Sequence, residues 1–237
     1  MSIAERIAGV RGRITAAARK SGRDSAAIRL AAVSKFQPVS SIEEAYAAGQ
    51  RLFGENRVQE AEAKALALSA LMQGADPLRI DLIGPLQSNK ARKAVAAVSR
   101  IQSIDSVDIG QRVGRIAIEM GKRMSVFAQV DLAGEATKAG IPEADLAAAL
   151  EGLRAVEGLE IVGLMMIPPF LENPEDVRPY FSRLRALRDD SVTRGLLEGS
   201  ELSMGMSHDF EVAIEEGATV VRVGTAIFGA RPSVNPA

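Results

Sequence analysis

A lysine ends one of the most apolar stretches of the sequence. The run "LAAVSK" spans residues 30–35, and the two-residue period of a β-strand would put Ala31, Val33 and Lys35 on one face. A lysine at the end of a buried strand either reaches water through its long stem or is held partly out of water. Partial burial lowers a lysine pKa and frees the amine to condense with a carbonyl group. Lys35 is therefore a candidate for Schiff-base chemistry, with a solvated rim lysine as the alternative.

The last β-rich run, "VVRVG", contains a second group of candidates. Its alternation puts Val220, Arg222 and Gly224 on one face, so an arginine is expected to point into the interior that Lys35 borders. Gly224 and Thr225 then begin a short helical turn. Backbone N–H groups at such a turn attract anions, glycine allows close approach, and threonine adds a hydroxyl donor.

The loop "SMGMSHDF" adds Ser203, Gly205 and Ser207 just before another helical pattern. Such hydroxyl groups can simply cap helices. Together with the turn at Gly224 and Thr225, however, they indicate a cup for phosphate. An amine, an arginine and a phosphate cup suit an aldehyde-bearing phosphate ester, and pyridoxal 5′-phosphate is the common cofactor of that kind.

The composition makes other kinds of chemistry less plausible. The 237 residues include no cysteine and one histidine, His208, so cysteine-ligated metals and thiolate nucleophiles are excluded and no metal site or histidine-based triad is expected. The formal net charge is −1, with acids and bases interspersed, so no nucleic-acid surface is expected. No run of about eighteen apolar residues is present, so no membrane-spanning helix is expected. A cytoplasmic location is the default expectation.

Short β-rich runs alternate with helical patterns along almost the whole chain. About eight such units follow one leading amphipathic helix, which is typical of an α/β fold of the (β/α)8 TIM-barrel type with an extra N-terminal helix. A doubly wound open sheet is the alternative, but that fold usually has a glycine-rich turn after its first strand, where this chain has "SKFQP". No linker rich in Pro, Gly or Ser divides the chain, so a single domain over residues 1–237 is predicted.

Several longer motifs resemble one known family. The motifs "AVSK", "FGENRVQE", "IGPLQSNK", "GEATKAGI" and "GLMMIP" precede the long stretch "LSMGMSHDFEVAIEEGATVVRVGTAIFGAR". Together they span nearly the whole chain and closely resemble the pyridoxal phosphate homeostasis proteins, single-domain relatives of the N-terminal barrel of alanine racemase. The resemblance implies pyridoxal phosphate as the cofactor and Lys35 as the residue that forms a Schiff base with it.

The same resemblance assigns the rest of the binding site. Ser203, Gly224 and Thr225 would hold the phosphate, and Arg222 would face the pyridine nitrogen. Lys138, in "GEATKAGI", would be a loop lysine or a residue near the site. The remaining pocket residues would come from the "GENR" and "SMGMS" motifs: Asn56, Met204, Gly205 and Ser207.

Arg222 decides what such a site is expected to do. A carboxylate beside the pyridine nitrogen would keep it protonated and make the cofactor a strong electron sink. An arginine stays cationic and accepts no proton, so the nitrogen should stay neutral. The resemblance implies that alanine racemase tolerates the same arginine, but that enzyme has a second domain that supplies a catalytic tyrosine. Tyr46 and Tyr180 of this chain lie in helical patterns.

The expected function is therefore to carry or buffer pyridoxal phosphate in intracellular vitamin B6 homeostasis, without efficient catalysis. The expected partners are the cofactor and the apo-enzymes that receive it, and the protein is expected to be a monomer. A pyridoxal phosphate-dependent amino-acid racemase is the enzymatic alternative. A cofactor-free Schiff-base aldolase acting on a sugar phosphate is a third possibility.

Three positions depart from the family pattern. Asp81 and Pro85 stand where the family often has histidines, and Met166 stands where threonine is common, so one pocket hydroxyl is expected to be missing. None of the three replaces Lys35 or the phosphate cup. Cofactor binding is therefore expected to survive.

Overall fold

The computed structural model describes residues 1–134 and 139–229, and their strands form a closed parallel barrel. Its eight strands are β1 Arg29–Val33, β2 Leu52–Glu55, β3 Arg79–Leu82, β4 Arg100–Ile104, β5 Met124–Asp131, β6 Leu159–Met165, β7 Glu201–Ser203 and β8 Val220–Val223. The pairing of β1 with β8, which sets Ala31 opposite Arg222, closes the barrel. A two-residue strand, Ile141–Pro142, pairs with the end of β5.

Helices surround the strands. They are α1 Ile3–Lys20, α2 Val39–Ala47, α3 Val58–Ala67, α4 Ser69–Met72, α5 Ala91–Ala97, α6 Val107–Glu119, α7 Leu146–Arg154, α8 Arg178–Thr193, α9 Phe210–Glu215 and α10 Thr225–Phe228. Short 3-10 turns cover Ser25–Ala27, Ser88–Lys90, Glu143–Asp145 and Pro174–Val177. The predicted (β/α)8 barrel with an additional N-terminal helix is confirmed.

The additional helix α1 has a well-defined start and a single apolar face. The Ser2 hydroxyl accepts the Glu5 N–H, and the Glu5 carboxylate accepts the Ser2 N–H at 2.7 Å, which makes a capping box. Ile7, Val10 and Ile14 recur at three- and four-residue spacing and are buried. Through this face α1 packs against α2, α9 and α10.

The core has two layers, which follow from the alternation of side chains along each strand. A small inner cluster of Ala31, Leu52, Phe127, Met165 and Val220 fills the barrel. A larger apolar layer fills the space between the strands and the helices. Ala31 and Val220 face inward, as predicted, whereas Lys35 lies beyond the end of β1. Among the described residues, no helix has the length and apolarity needed to cross a bilayer.

Candidate functional site

Lys35 lies at the barrel mouth, meaning the end formed by the carboxyl termini of the strands. Strand β1 ends at Val33, two residues earlier than the apolar run suggests, and Lys35 is half-buried in the turn that follows. The Ser34 N–H donates to the Gly54 carbonyl at 3.0 Å, and the Gln37 N–H donates to the Ser34 carbonyl at 3.0 Å. These two bonds fix the backbone on either side of Lys35.

The Lys35 turn contains a strained residue. Phe36 has a φ of +62°, a conformation uncommon outside glycine. The Glu60 carboxylate accepts the Phe36 N–H at 2.9 Å, and the Arg57 guanidinium lies 5.5 Å from the centre of the Phe36 ring. Backbone strain persists only where surrounding contacts hold it, and it concentrates at functional sites. These contacts hold the backbone of the turn that carries Lys35.

A buried cluster of charges supports the same turn from behind the barrel wall. Lys64 of α3 donates to the Glu55 carboxylate at 2.6 Å and to the Ser34 carbonyl at 2.7 Å. The Ser34 hydroxyl donates to the same Glu55 oxygen at 2.6 Å. Glu55 is fully buried, and burial raises its pKa although Lys64 opposes this. Sequence reasoning missed this cluster, although Lys64 continues the three-residue spacing of the buried Val58 and Ala61.

Arg222 lies inside the barrel below the mouth, as its alternation with Val220 predicts. Its guanidinium donates to the Ser203 hydroxyl at 2.7 Å and to the Met166 carbonyl at 2.7 Å. Burial lowers the pKa of Arg222 to about 10, with Asp209 acting in the opposite direction. Arg222 therefore keeps its positive charge at neutral pH.

A chain of hydrogen bonds continues from Arg222 down through the barrel. The Ser203 hydroxyl donates to Gln102 at 2.6 Å, the Gln102 amide donates to Asp81 at 2.6 Å, and Arg100 donates to the same Asp81 oxygen at 2.7 Å. Ser203 is fully buried, and its hydroxyl is engaged by Gln102 and Arg222. This differs from the predicted phosphate contact, because the Ser203 hydroxyl points into the barrel interior. The departure at Asp81 lies in this chain, below the mouth.

The loops after β7 and β8 meet at the mouth, as expected for a phosphate cup. The Gly224 N–H donates to the Ser207 hydroxyl at 3.3 Å, and Thr225 is exposed beside them. Gly205 has a φ of +91°, and a Cβ there would lie 2.5 Å from the Ala213 Cβ, so only glycine fits. The Gly205 carbonyl accepts the Arg222 N–H at 2.9 Å, which joins the two loops.

Asp209 organises the β7 loop, and sequence reasoning did not single it out. Its carboxylate accepts the Met206 N–H at 2.6 Å, which fixes the backbone just before Ser207. Asp209 is buried, and burial raises its pKa while the Met206 N–H and the Arg222 charge lower it. The motif "SHDF", with an acid two residues after a serine in a loop, was the available signal.

Asn56 and Met204, both predicted to line the pocket, differ in where their side chains lie. Asn56 is half-buried at the end of β2, where a Cβ on Gly84 would come within 2.2 Å of its carbonyl oxygen. The Met204 side chain lies in the layer between strands and helices, because alternation turns it outward from Ser203.

The two remaining departures differ in burial. The Met166 side chain is buried in the outer layer, and its backbone carbonyl accepts from the Arg222 guanidinium. Pro85 is exposed in the loop after β3. Lys138 falls outside the described residues. Across residues 1–134 and 139–229, no cluster of three or more His, Cys, Asp or Glu side chains is arranged to hold a metal ion.

The donor set of the mouth fits an aldehyde-bearing phosphate ester. Strands β1 and β8 are neighbours, and a Cβ on Gly224 would lie 3.1 Å from the Val33 carbonyl, so the turns carrying Lys35 and Thr225 leave adjacent strands. The mouth thus combines a primary amine, a buried cation and a loop pair with hydroxyl and glycine backbone donors.

Known proteins match almost the whole of this chain. The alanine racemase N-terminal domain family matches residues 12–232. The pyridoxal phosphate homeostasis protein of Aquifex aeolicus is 42% identical over 231 residues, covering 98% of this chain and 99% of the relative. That of Pseudomonas aeruginosa is 43% identical over 236 residues, covering 100% and 99%. The chain belongs to the pyridoxal phosphate homeostasis protein family.

A solved structure extends this pyridoxal phosphate homeostasis family relationship to the fold. PipY of Synechococcus elongatus PCC7942, solved with pyridoxal phosphate bound, superposes with a TM-score of 0.84 at 42% sequence identity. The match covers 96% of this chain and 100% of PipY. The resemblance drawn from the sequence motifs is thereby confirmed.

Proposed function

We propose that this protein binds pyridoxal 5′-phosphate in the barrel mouth and holds it reversibly, as a carrier or buffer of the cofactor. The observation that carries this proposal is the pairing of two elements on adjacent strands. One is the half-buried Lys35 in a strained, heavily supported turn, and the other is the buried Arg222 beneath the cup of Ser207, Gly224 and Thr225. The PLP-bound relative PipY supports the choice of ligand.

Each residue has a distinct part in this binding. Lys35 would hold the cofactor through a Schiff base between its Nζ and the cofactor aldehyde. Ser207 and Thr225, with the Gly224 backbone, would bind the phosphate, and Asn56 and Gly205 would border the ring. Ser203, whose hydroxyl accepts from Arg222 at 2.7 Å, would position that guanidinium.

Arg222 argues against efficient catalysis. Pyridoxal phosphate supplies an electron-withdrawing ring that is strongest when its pyridine nitrogen is protonated. Arg222 has a pKa of about 10 and offers no acceptor atom, so it would leave that nitrogen neutral. Removal of a Cα proton from a bound amino acid would then gain little stabilisation.

The tyrosines give no evident second base at the mouth. The Tyr46 hydroxyl donates to the Asp76 carbonyl at 2.8 Å, and Asp76 lies at the opposite end of the barrel. Tyr180 is half-buried on α8. We infer that the protein passes its cofactor to apo-enzymes without transforming amino acids itself, and that it acts as a monomer.

Borohydride reduction of the purified protein with added pyridoxal phosphate tests the covalent attachment. Peptide mass spectrometry should find the reduced adduct on Lys35, and Lys35→Ala should lose it. Lys90→Ala is the matched control, because Lys90 is also half-buried and follows β3. A reduced adduct that stays at full yield in Lys35→Ala would contradict the assignment of Lys35.

A second experiment separates carrier from enzyme. Incubation of the loaded protein with L-alanine in deuterated water should give no D-alanine and at most slow exchange at Cα. Racemisation at about 1 s⁻¹ or faster would be on the scale of enzymes and would establish the racemase alternative.

A further inference from the structure

A large basic cavity lies at the opposite end of the barrel from Lys35. It has a volume of about 760 Å³ and is bordered by the first residues of strands β1 to β5 and by α1. This volume is within the range of small-molecule sites. The charged side chains that line it are five arginines and one carboxylate: Arg11, Arg29, Arg51, Arg79, Arg100 and Asp76.

The carboxylates in and near the cavity already accept hydrogen bonds from its arginines. Glu201 bridges Arg29 and Arg100, accepting from Arg100 at 3.1 Å, and Asp81 accepts from Arg100 at 2.7 Å. Asp76, on the cavity wall, accepts from Arg51 at 2.5 Å. Burial lowers the pKa of Arg29, and the nearby Arg100 charge lowers it further. Glu201 and Asp81 oppose this lowering, and an added anion beside Arg29 would act in the same direction as these two carboxylates.

Donors remain unused on this wall. Arg79 is exposed at the start of β3, and within the described residues its guanidinium makes no hydrogen bond or ion pair. Arg29 engages Glu201 through a single nitrogen, Nη2, of a guanidinium that carries five N–H groups. Arg11 likewise donates through Nη2, to the Gly49 carbonyl and the Gln50 side chain. Arginine forks of this kind match the geometry of phosphate oxygens.

Part of the cavity wall is apolar. Ile14, Ile28, Leu30, Leu52 and Pro77 border the cavity beside the arginines. Such a wall leaves room for an organic group attached to an anion. We propose that the cavity binds a phosphate dianion, free or as a phosphate monoester, with Arg79 and Arg29 as its principal donors.

Isothermal titration calorimetry at low ionic strength tests this site, with inorganic phosphate and adenosine 5′-monophosphate as probes. The protein is first loaded with one equivalent of pyridoxal phosphate, reduced with borohydride and dialysed, so that the mouth is occupied covalently and no free phosphate ester competes with the probes. Saturable binding with a Kd below about 1 mM is expected, and added salt should weaken this binding. Tighter binding of the nucleotide would identify a monoester site, and equal binding would identify a site for free phosphate.

Variants locate the bound probe. Arg79→Gln should weaken binding by roughly tenfold, since it removes one charge-assisted donor at an exposed position. Arg154→Gln, which replaces an exposed arginine on α7 outside the cavity, should leave binding unchanged. Absence of saturable binding, or equal losses in Arg79→Gln and Arg154→Gln, would overturn the proposal.

Discussion

Replacement of Lys64 by methionine should destabilise the protein far more than a surface lysine replacement does. Lys64 is only 8% exposed at its side chain and is 2.6 Å from Glu55, which is fully buried and has one carboxylate oxygen, Oε2, without a hydrogen-bond partner within the described residues. Removing one member of a buried ion pair leaves an uncompensated charge and costs about 3–5 kcal/mol. For a chain of this size, about 2–4 °C per kcal/mol gives a fall in Tm of roughly 6–20 °C.

The loss of stability in Lys64→Met should depend on pH, which makes the assay specific for Glu55. Burial already raises the pKa of Glu55, and Lys64 is the main influence that lowers it, so the pKa rises further in Lys64→Met. A carboxyl group with a raised folded-state pKa binds its proton more tightly when folded. Its destabilising effect is therefore small at low pH and grows as the pH rises through the folded-state pKa. Thermal unfolding should show a smaller Tm difference from the wild type at pH 5 than at pH 8.

Two further variants complete this experiment. Lys93→Met removes an exposed lysine that is 2.9 Å from Glu62, and it should cost about 0–1 kcal/mol at either pH. Adding Glu55→Gln to Lys64→Met removes the stranded charge and should recover much of the lost Tm. The reasoning is refuted if Lys64→Met and Lys93→Met lose equal stability at pH 8, because Glu55 would then carry no buried charge.

Three other predictions concern the mouth and its supports. Thr225→Ala should weaken pyridoxal phosphate binding by roughly ten- to a hundredfold, because one hydroxyl donor to the phosphate is lost, and should hardly change pyridoxal binding. Fluorescence titrations measure both affinities, and equal losses for the two ligands would place Thr225 away from the phosphate. Arg222→Glu should raise Cα exchange of L-alanine, measured by NMR in deuterated water, because a carboxylate can keep the pyridine nitrogen protonated. Unchanged exchange with the cofactor still bound would show that a missing base alone limits the chemistry. Gly84→Ala should lower the Tm strongly, since its Cβ would lie 2.2 Å from the Asn56 carbonyl oxygen. The control Gly12→Ala in α1 meets nothing within 4 Å and should stabilise the protein by up to about 1 kcal/mol. Similar Tm values for the two variants would contradict the close approach at Gly84.

The sequence was sufficient to predict the barrel, the position of Lys35 at its mouth and that of Arg222 inside it. Lys35 follows from its place just after an apolar strand, and Arg222 follows from local periodicity, because a two-residue alternation fixes which side chains of a strand share a face. Ala31 and Val220 lie in the inner cluster and Arg222 donates to Ser203 and Met166 inside the barrel, as that alternation requires.

Partner choice inside the barrel depended on tertiary structure. The Ser203 hydroxyl meets Gln102, 101 positions earlier in the chain, and Gln102 meets Asp81 on the neighbouring strand. No local pattern encodes those contacts, because they depend on the register in which the strands pair around the closed barrel. The Met204 side chain lies outside the barrel, between the strands and the helices. Met204 is one residue beyond Ser203, so alternation turns its side chain to the opposite face. A contiguous binding motif therefore contains both inward-facing and outward-facing residues.

The contacts that hold the backbone around Lys35 also depended on tertiary structure. The sequence places Lys35 at a strand end, but the neighbouring backbone is held by Lys64 and Glu55 from two other elements and by Glu60 through the Phe36 N–H. A lysine in the buried face of α3 is a local signal that something charged must lie opposite it, because a buried ammonium requires a partner. The sequence gives no identity for that partner. Glu55 becomes the partner of Lys64 only because α3 packs back against the ends of β1 and β2 when the barrel closes.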